Sequence, residues 1–335
     1  MTTFFAIFGS LGLFLYGMKV MSEGLQKVSG EGLRALIRNM TRNRLSGIIS
    51  GTLMTTLVQS SSATTVMIVS FVNARLLTLR ESIGMIMGAN LGTTTTFWIV
   101  VFLGFKFSTT SIALPCVCIG VAMIFFRQPK IRDTGEALIG FGILFLGLSF
   151  LKGSVPDVRS NPEIFSFLAD WTGHGMGSVA IFFAFGVLLT VVVQSSSVAG
   201  AITLTLAAKG WIGYEDAAAI VLGENVGTTI TANLAAMTGG VEAKRAARAH
   251  FLFNMIGVAW MVVLFYPFVN MVDAITPGDA NDPTNTLYHL AFFHSFFNLT
   301  NICLQAPFAK QLAMLATKMV REKEGSPEED EHINY

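Results

Sequence analysis

The sequence predicts an all-α polytopic membrane protein built from two related halves. Hydrophobic residues make up 52% of the 335 residues and charged residues only 13%, a composition that soluble globular domains do not show. Apolar runs of membrane-spanning length follow one another along the chain, and a set of polar residues recurs after 135 positions. The formal net charge of +1 says nothing about partners, and we expect no nucleic-acid partner.

Seven apolar runs are long enough to cross a bilayer as helices, for which about 20 residues suffice. They cover 4–21, 83–105, 111–126, 137–151, 217–239, 251–272 and 287–304. No basic segment precedes the first run, which leads into Lys19 and Lys27, so we expect a span there and not a cleaved leader.

The duplication is carried by polar residues. Gln59-Ser60-Ser61-Ser62 returns unchanged as Gln194-Ser195-Ser196-Ser197, in a register of 135 residues. The same register pairs Gly51 with Gly186, Thr55 with Thr190, Gly88 with Gly223, Asn90 with Asn225, Gly92 with Gly227, Thr93 with Thr228 and Thr94 with Thr229. Apolar residues exchange freely in membrane helices, so hydroxyls and amides held at fixed spacing indicate a site.

The two segments that carry this motif, 45–73 and 179–209, are too long for one crossing and too short for two with a loop. At about 1.5 Å per residue each arm reaches roughly 20 Å, so we predict two re-entrant helical hairpins whose tips stop near the bilayer midplane. Irregular backbone is tolerated there only where it is buried in protein or lines a wet cavity. Each tip is therefore predicted to face a site.

The positive charges test this topology, since Lys and Arg concentrate in cytoplasmic loops. If both hairpins return to their side of entry, one face collects eighteen of the 22 Lys and Arg residues and the other keeps four. This predicts a cytoplasmic C-terminus, an external N-terminus and a multi-pass protein of the inner membrane. The halves are then inverted repeats, as in secondary transporters that bind substrate near the midplane.

The predicted organisation is a first inverted repeat over 1–133 and a second over 134–320 that includes an additional C-terminal span. A charged, disordered cytoplasmic tail follows over 321–335. Amphipathic surface helices are predicted before the hairpins, at 31–43 and 164–171. The spans after the hairpins carry Gly-x-Asn-x-Gly-Thr-Thr at 88–94 and 223–229, and we expect both to unwind there. The alternative is a continuous helix with a polar packing face.

The chemistry expected at each tip is anion binding. The second arm begins at the serines, so its first backbone N–H groups have no intrahelical partner and carry the positive end of the helix dipole. Carbonyl oxygens at the end of the first arm, together with nearby hydroxyls, suit a hard cation such as Na⁺. The hydroxyls in question are those of Thr64, Thr93, Thr94, Thr228 and Thr229.

Glu224 is the one carboxylate deep in a predicted span, opposite Ala89 in the first repeat. An intramembrane ionisable residue is functional by default, so Glu224 is predicted to bind a cation or to carry a proton. The alternative is a protonated carboxyl hydrogen-bonded between helices. For the pairs His250/Asn254 and His294/Asn298, we expect a structural role in hydrogen bonds across helices.

Two Gln-Ser-Ser-Ser hairpins, each followed by Gly-x-Asn-x-Gly-Thr-Thr, together with His-x-x-Phe-Asn, resemble the type II sodium/phosphate cotransporters. The resemblance covers nearly the whole membrane part. It implies Na⁺-driven phosphate uptake by an elevator motion of a mobile core against a dimerising scaffold, hence a homodimer in the bilayer. By resemblance, the phosphate and sodium pocket is formed by the glutamines and serines of both tips and completed by the segments that contain Asn90 and Asn225.

The chain departs from this family at two places. Relatives often carry an Arg-Ala and His-x-x-Phe-Asn stretch in the first half, and residues 109–119 have none. Glu224 occupies a position that is often small in relatives, which leaves the cation stoichiometry open. Na⁺ is the expected coupling ion, with no further cofactor.

Other functions compete with this interpretation. A Na⁺- or H⁺-coupled transporter of another small anion would use the same hydroxyls and helix ends, and a passive anion channel can also be built from broken helices. A membrane enzyme is disfavoured, because the sequence shows neither paired carboxylates nor a nucleophile with a base.

Overall fold

The computed structural model describes residues 2–30, 43–106, 109–155 and 171–321, and no strand occurs within these ranges. The predicted surface helices at 31–43 and 164–171 and the predicted tail lie outside them but for one end residue each. The helices of the first half are α1 Thr2–Val28, α2 Arg44–Val58, α3 Ser61–Asn73, α4 Leu79–Ile99, α5 Thr109–Ile124 and α6 Pro129–Ser154. Those of the second half are α7 Met176–Val193, α8 Ser196–Ala208, α9 Tyr214–Gly227, α10 Thr229–Ala236, α11 Val241–Val263, α12 Phe265–Ile275, α13 Pro283–Gln305 and α14 Ala309–Met319.

Five helices in the described ranges are long and apolar enough to cross a membrane, against the seven predicted spans. Four of them, α1, α4, α6 and α11, correspond to predicted spans, and α4 is extended as a π-helix over Val100–Lys106. The fifth, α7, was predicted as the first arm of the second hairpin and is long enough to cross. The predicted span 217–239 is divided between α9 and α10, and 251–272 between α11 and α12. The predicted span at 111–126 corresponds to α5, a helix of 16 residues, and 287–304 falls within α13. Within the described ranges the protein is all-helical, and its several apolar helices are consistent with a membrane protein, although fewer of them are long than predicted.

Each segment predicted to form a hairpin contains two helices joined by one sharp reversal. The first arm of the first hairpin ends at Gln59, and the first arm of the second ends at Gln194. The φ angles of these two residues, 55° and 54°, lie in the left-handed region. A residue other than glycine or asparagine pays for this conformation, so the surrounding structure must impose it. Ser60 and Ser195 follow in extended conformation and start the second arms.

The first arm of each hairpin runs parallel to the helix that follows the hairpin. Near the start of α2, Arg44 lies beside Gly84 of α4, and at its end Gln59 accepts a hydrogen bond from Thr96. The chain therefore returns along α3 before α4 begins, and both ends of the hairpin lie at one end of α4. In the second repeat, Phe183 packs against Gly223 and Thr190 against Gly227, which gives α7 and α9 the same arrangement.

Glycines allow these parallel helices to approach at backbone distance. A Cβ on Gly51 would fall on the carbonyl oxygen of Met85, and one on Gly186 would fall on that of Ile220. Gly88 and Gly223 meet the facing helix in the same way. Small residues drive such contacts in membranes, where packing replaces the hydrophobic effect.

Helices α1 and α6 pack antiparallel along a second series of glycines. Gly17 lies against Leu144 and Gly140 against Met21, and Lys27 forms an ion pair with Glu136 at the end of the seam. Helix α5 packs antiparallel on α6 through Gly120 and Gly142. These three helices form a layer beside the two hairpins.

The expected unwinding after the hairpins is wrong for the first repeat. α4 is continuous through Gly88–Thr96. The hydroxyls of Thr93 and Thr94 donate back to carbonyls of their own helix, and Gly88 and Gly92 pack against α2. In the second repeat the helix is interrupted at Thr228, whose backbone stays right-handed with φ −59° and ψ −27°. The continuous helix with a polar packing face, held as the alternative, describes α4.

Each hairpin packs against a helix of the other repeat. Helix α10 packs on α3, and the C-terminal part of α4, the counterpart of α10, packs on α8. In the second of these contacts the ring of Phe97 fills the space above Gly200. In the other contact, Ala232 is the equivalent of Phe97 and Thr65 is the equivalent of Gly200. The larger side chain therefore comes from the hairpin in one contact and from the helix after the hairpin in the other.

We predict that Gly51→Ala destabilises the protein by about 1–3 kcal/mol, because the added methyl group overpacks the seam between α2 and α4. The melting temperature in detergent should fall by several degrees. Gly9→Ala in α1 is the matched control, since nothing lies within 4 Å of its Cβ position. Equal melting temperatures for the two variants would contradict this close approach.

Candidate functional site

The two hairpin tips meet each other. The hydroxyl oxygens of Ser61 and Ser196, equivalent residues of the two repeats, lie 3.4 Å apart, and both residues are buried. Because these serines open α3 and α8, the N-termini of two 13-residue helices converge on one point. The structure therefore brings together the two halves of the predicted anion site.

Each of these N-termini is capped by the serine before it. The hydroxyl oxygen of Ser60 accepts a hydrogen bond from the N–H of Ala63 at 3.2 Å, and that of Ser195 accepts one from Val198 at 3.4 Å. Each cap satisfies one of the first N–H groups of its helix and leaves others available. Ser62 is half-buried and Ser197 is buried in the same first turns.

The two glutamines are placed differently. Gln59 is buried, and its carbonyl oxygen accepts a hydrogen bond from Thr96 at 3.1 Å while its amide donates to the Thr56 carbonyl. Gln194 is exposed, and none of the side-chain hydrogen bonds found among the described residues includes it. The tip of the first hairpin is thus tied to α4, whereas that of the second is open at the equivalent position.

The threonines predicted to bind sodium are all buried, and their hydroxyl protons are already used. Each donates to a backbone carbonyl three or four residues earlier, at 2.7–3.1 Å: Thr64 to Ser60, Thr93 to Ala89, Thr94 to Leu91, Thr228 to Glu224 and Thr229 to Val226. With the proton fixed in this way, the oxygen lone pairs point away from the helix backbone. Such oxygens can act only as acceptors or cation ligands.

Asn90 is held by α11. Its amide donates to the Asn254 side chain at 2.7 Å, and its carbonyl oxygen lies 3.2 Å from a ring nitrogen of His250. All three residues are buried, which confirms the structural role predicted for His250 and Asn254. Asn225, the counterpart of Asn90, instead donates to the Val221 carbonyl of its own helix.

The second His/Asn pair does not bridge helices. Asn298 donates to the backbone carbonyl of His294 within α13, and the imidazole of His294 lies against the ring of Phe97, with 4.5 Å between the ring centroids. One side-chain atom of each residue is buried without a partner, Nδ1 of His294 and Oδ1 of Asn298. The prediction of a hydrogen bond across helices is therefore wrong for this pair.

Glu224 is 2% exposed and accepts a hydrogen bond from the hydroxyl of Thr203 at 2.7 Å. No ion pair found among the described residues involves this carboxylate. The equivalent positions of the first repeat hold Ala89 and Ile68, so both partners are specific to the second repeat. Thr203 was missed at the sequence level, although the register that singles out Glu224 also shows the replacement of Ile68.

Two further residues were missed as site candidates. The hydroxyls of Thr55 and Thr190, which are repeat equivalents, are buried and have no hydrogen-bond partner. Each residue lies one turn before a tip glutamine and accepts that glutamine's backbone N–H at 2.7 Å. An unpaired buried hydroxyl is costly and needs a partner, such as water or an ion. The conserved register already paired these threonines, and that signal could have identified them.

Comparison with known proteins gives a consistent result. The family profile described as Na⁺/Pi-cotransporter matches residues 13–153 and 165–275. No solved protein structure matches the chain.

Three relatives illustrate the range of similarity. The chain is 30% identical to "Uncharacterized protein YqeW" of Bacillus subtilis over 88% of its own length and 91% of the relative's. It is 28% identical to "Putative inorganic phosphate export protein YjbB" of Salmonella typhimurium over 99% of its length, but it spans only 58% of that protein. The human "Sodium-dependent phosphate transport protein 2B" is 41% identical over 28% of this chain and 14% of its own.

We predict that Ser61→Ala and Ser196→Ala each weaken phosphate-dependent transport much more than Ser10→Ala does. Loss of a hydrogen bond to a charged ligand costs about 1.5–3 kcal/mol, which corresponds to roughly a tenfold to hundredfold weaker apparent affinity. Ser10 is a buried control in α1, whose hydroxyl donates to the Ala6 carbonyl. Equal effects of the three substitutions would remove the tips from the site.

Proposed function

Because the chain belongs to the Na⁺/Pi-cotransporter family, we propose that it is a secondary active transporter that couples the uptake of inorganic phosphate to Na⁺ by alternating access. The family and its phosphate-transporting relatives support phosphate transport as the general activity. The observation that carries the specific proposal is the meeting of the two helix N-termini at Ser61 and Ser196.

Two converging helix N-termini place partial positive charge and free N–H groups at one buried point. Without a ligand these two positive ends repel each other. An anion between them would be attracted by both ends. Glutamine and serine side chains add neutral donors for phosphate oxygens. We therefore assign the phosphate site to Gln59, Ser60, Ser61, Ser62, Gln194, Ser195, Ser196 and Ser197.

The sodium requirement follows from the lack of side-chain cations in the hairpins. After Arg44, the four helices α2, α3, α7 and α8 contain neither Lys nor Arg. A buried phosphate then needs its counter-charge from helix dipoles and from cations that bind with it. The acceptor oxygens of Thr64, Thr93, Thr94, Thr228 and Thr229 support sodium binding, and we add Asn90, Asn225 and the unpaired hydroxyls of Thr55 and Thr190 as candidate ligands.

Alternating access requires two conformations related by exchange of the repeats. α1 and α6, which carry related glycine motifs at 12–17 and 142–147, run antiparallel, and this supports inverted repeats. The closed Gln59 and the open Gln194 support a state in which only one hairpin is engaged. We further propose an elevator motion against a dimerising scaffold in the inner membrane, with the N-terminus outside and the C-terminus in the cytoplasm.

The direction of transport and the identity of the anion distinguish the remaining candidates. One relative is named as a phosphate export protein, so outward flux is an alternative for the same site. The hydroxyls and helix ends also suit other small oxyanions. A passive channel would carry phosphate without saturation and without a coupling ion.

The deciding experiment is uptake of labelled phosphate into liposomes that contain the purified protein. We expect accumulation above equilibrium with an inward Na⁺ gradient and none with a matched K⁺ gradient. A proton gradient forms the third arm, preloaded vesicles test efflux, and competition by sulfate or a carboxylate tests the anion. Accumulation without Na⁺ would contradict sodium coupling, and flux that never saturates would indicate a channel.

Glu224 is proposed to bind a coupling cation or to carry a proton. In either case we expect Glu224→Gln to change the cation dependence or the pH profile of uptake while it preserves the size of the side chain. Thr203→Val tests the hydrogen-bonded partner, and Ala89→Gln places an amide at the equivalent position of the first repeat as a control. If Glu224→Gln leaves both dependences unchanged, the carboxyl has only a structural role.

A further inference from the structure

A second cavity lies away from the hairpin tips, between α10 and α11. Its volume is about 540 Å³, and its walls are formed mainly by apolar side chains such as Ile230, Leu234 and Phe251. The two helices run antiparallel, since Ala236 and Ala232 pack in one cluster with Ala243, Ala246 and Ala247 after the short connection at 237–240. The cavity therefore extends along the helices, from the connection towards Thr229.

Two cations line this cavity. Lys244 and Arg248 are exposed, one helical turn apart on the same face of α11, and both line the cavity. In the ranges that the structure describes, neither takes part in an ion pair, and the cavity lining contains no carboxylate. The neighbouring Arg245, by contrast, is paired with Glu242.

The apolar wall is open to the surroundings on the α10 side. Ile230, Leu234 and Met237 are 38%, 49% and 67% exposed, and Met255, two turns after Arg248 on α11, is 36% exposed. The cavity thus presents two positive charges on α11 beside an apolar surface on α10. Free phosphate would interact with the two cations but would gain nothing from the apolar wall. A molecule with an anionic head and an acyl chain complements both the cations and the wall.

We propose that this groove binds an anionic phospholipid of the cytoplasmic leaflet, with its phosphate on Lys244 and Arg248 and an acyl chain along Ile230 and Leu234. Basic pockets between membrane helices on the cytoplasmic side recognise lipid head groups in this way. The assignment to that leaflet rests on the orientation given under the proposed function. Because α10 begins at Thr229, beside the sodium-site candidate Thr228, the lipid supports the helix that leads directly from the transport site.

The test compares melting temperatures of purified full-length protein in mixed micelles of a neutral detergent and phosphatidylcholine, with and without phosphatidylglycerol. We expect phosphatidylglycerol to raise the melting temperature of the wild type and to remain bound in native mass spectrometry. Lys244→Gln combined with Arg248→Gln should lose more than half of this shift. The matched control is Lys310→Gln with Lys318→Gln, two exposed cations on α14 that the predicted topology places on the same face.

Each other occupant gives a different result. If inorganic phosphate reproduces the shift without phosphatidylglycerol, the cations bind free phosphate and the proposal is overturned. An equal shift with additional phosphatidylcholine would show an apolar groove without charge recognition. No shift in the wild type would favour the acidic segment after Arg321, which follows Val320 of the cavity lining, as the occupant. Phosphate uptake by the same variants after reconstitution into liposomes reports separately on the proposed transport function.

Discussion

The contact between two buried helix N-termini is the constraint that the surrounding helices have to satisfy. Ser61 and Ser196 hold α3 and α8 end to end, with the positive poles of both helix dipoles directed at the same point. Such an arrangement is unfavourable in isolation, because the first N–H groups of each helix lack intrahelical partners and the like poles repel. It persists because the rest of the chain fixes both hairpins from outside.

The fixing elements are the parallel helix pairs, α2 with α4 and α7 with α9. Their glycines allow backbone contact, so the depth of each tip is set by a rigid seam and not by flexible side chains. The left-handed Gln59 and Gln194 then turn the chain within one residue, and Ser60 and Ser195 cap the returning helices. Strain at a single residue in each repeat is thereby compensated by packing along a whole helix.

The sequence predicted the hairpins, their boundaries and the residues at their tips, because these depend on polar side chains that recur in one register. The prediction failed where local propensity and packing disagree. The glycines and threonines of 88–96 suggested unwinding, but α4 is continuous there. Its glycines pack closely against α2, and two of its threonines bond to carbonyls of their own helix. The difference between Gln59 and Gln194 could not be predicted, since identical tetrapeptides differ only in tertiary surroundings. Thr203 was predictable, because the register that pairs Glu224 with Ala89 also pairs Thr203 with the apolar Ile68.

The packing of Phe97 on Gly200 shows how far the two repeats have diverged since the duplication. Phe97 needs the empty space above Gly200, while the corresponding places in the other crossing hold Thr65 and Ala232. Two copies of the first half would set a phenyl ring against a threonine, and two copies of the second half would leave an unfilled gap. The two halves have therefore become complementary since the duplication. Two copies of either half would no longer pack against each other at this crossing.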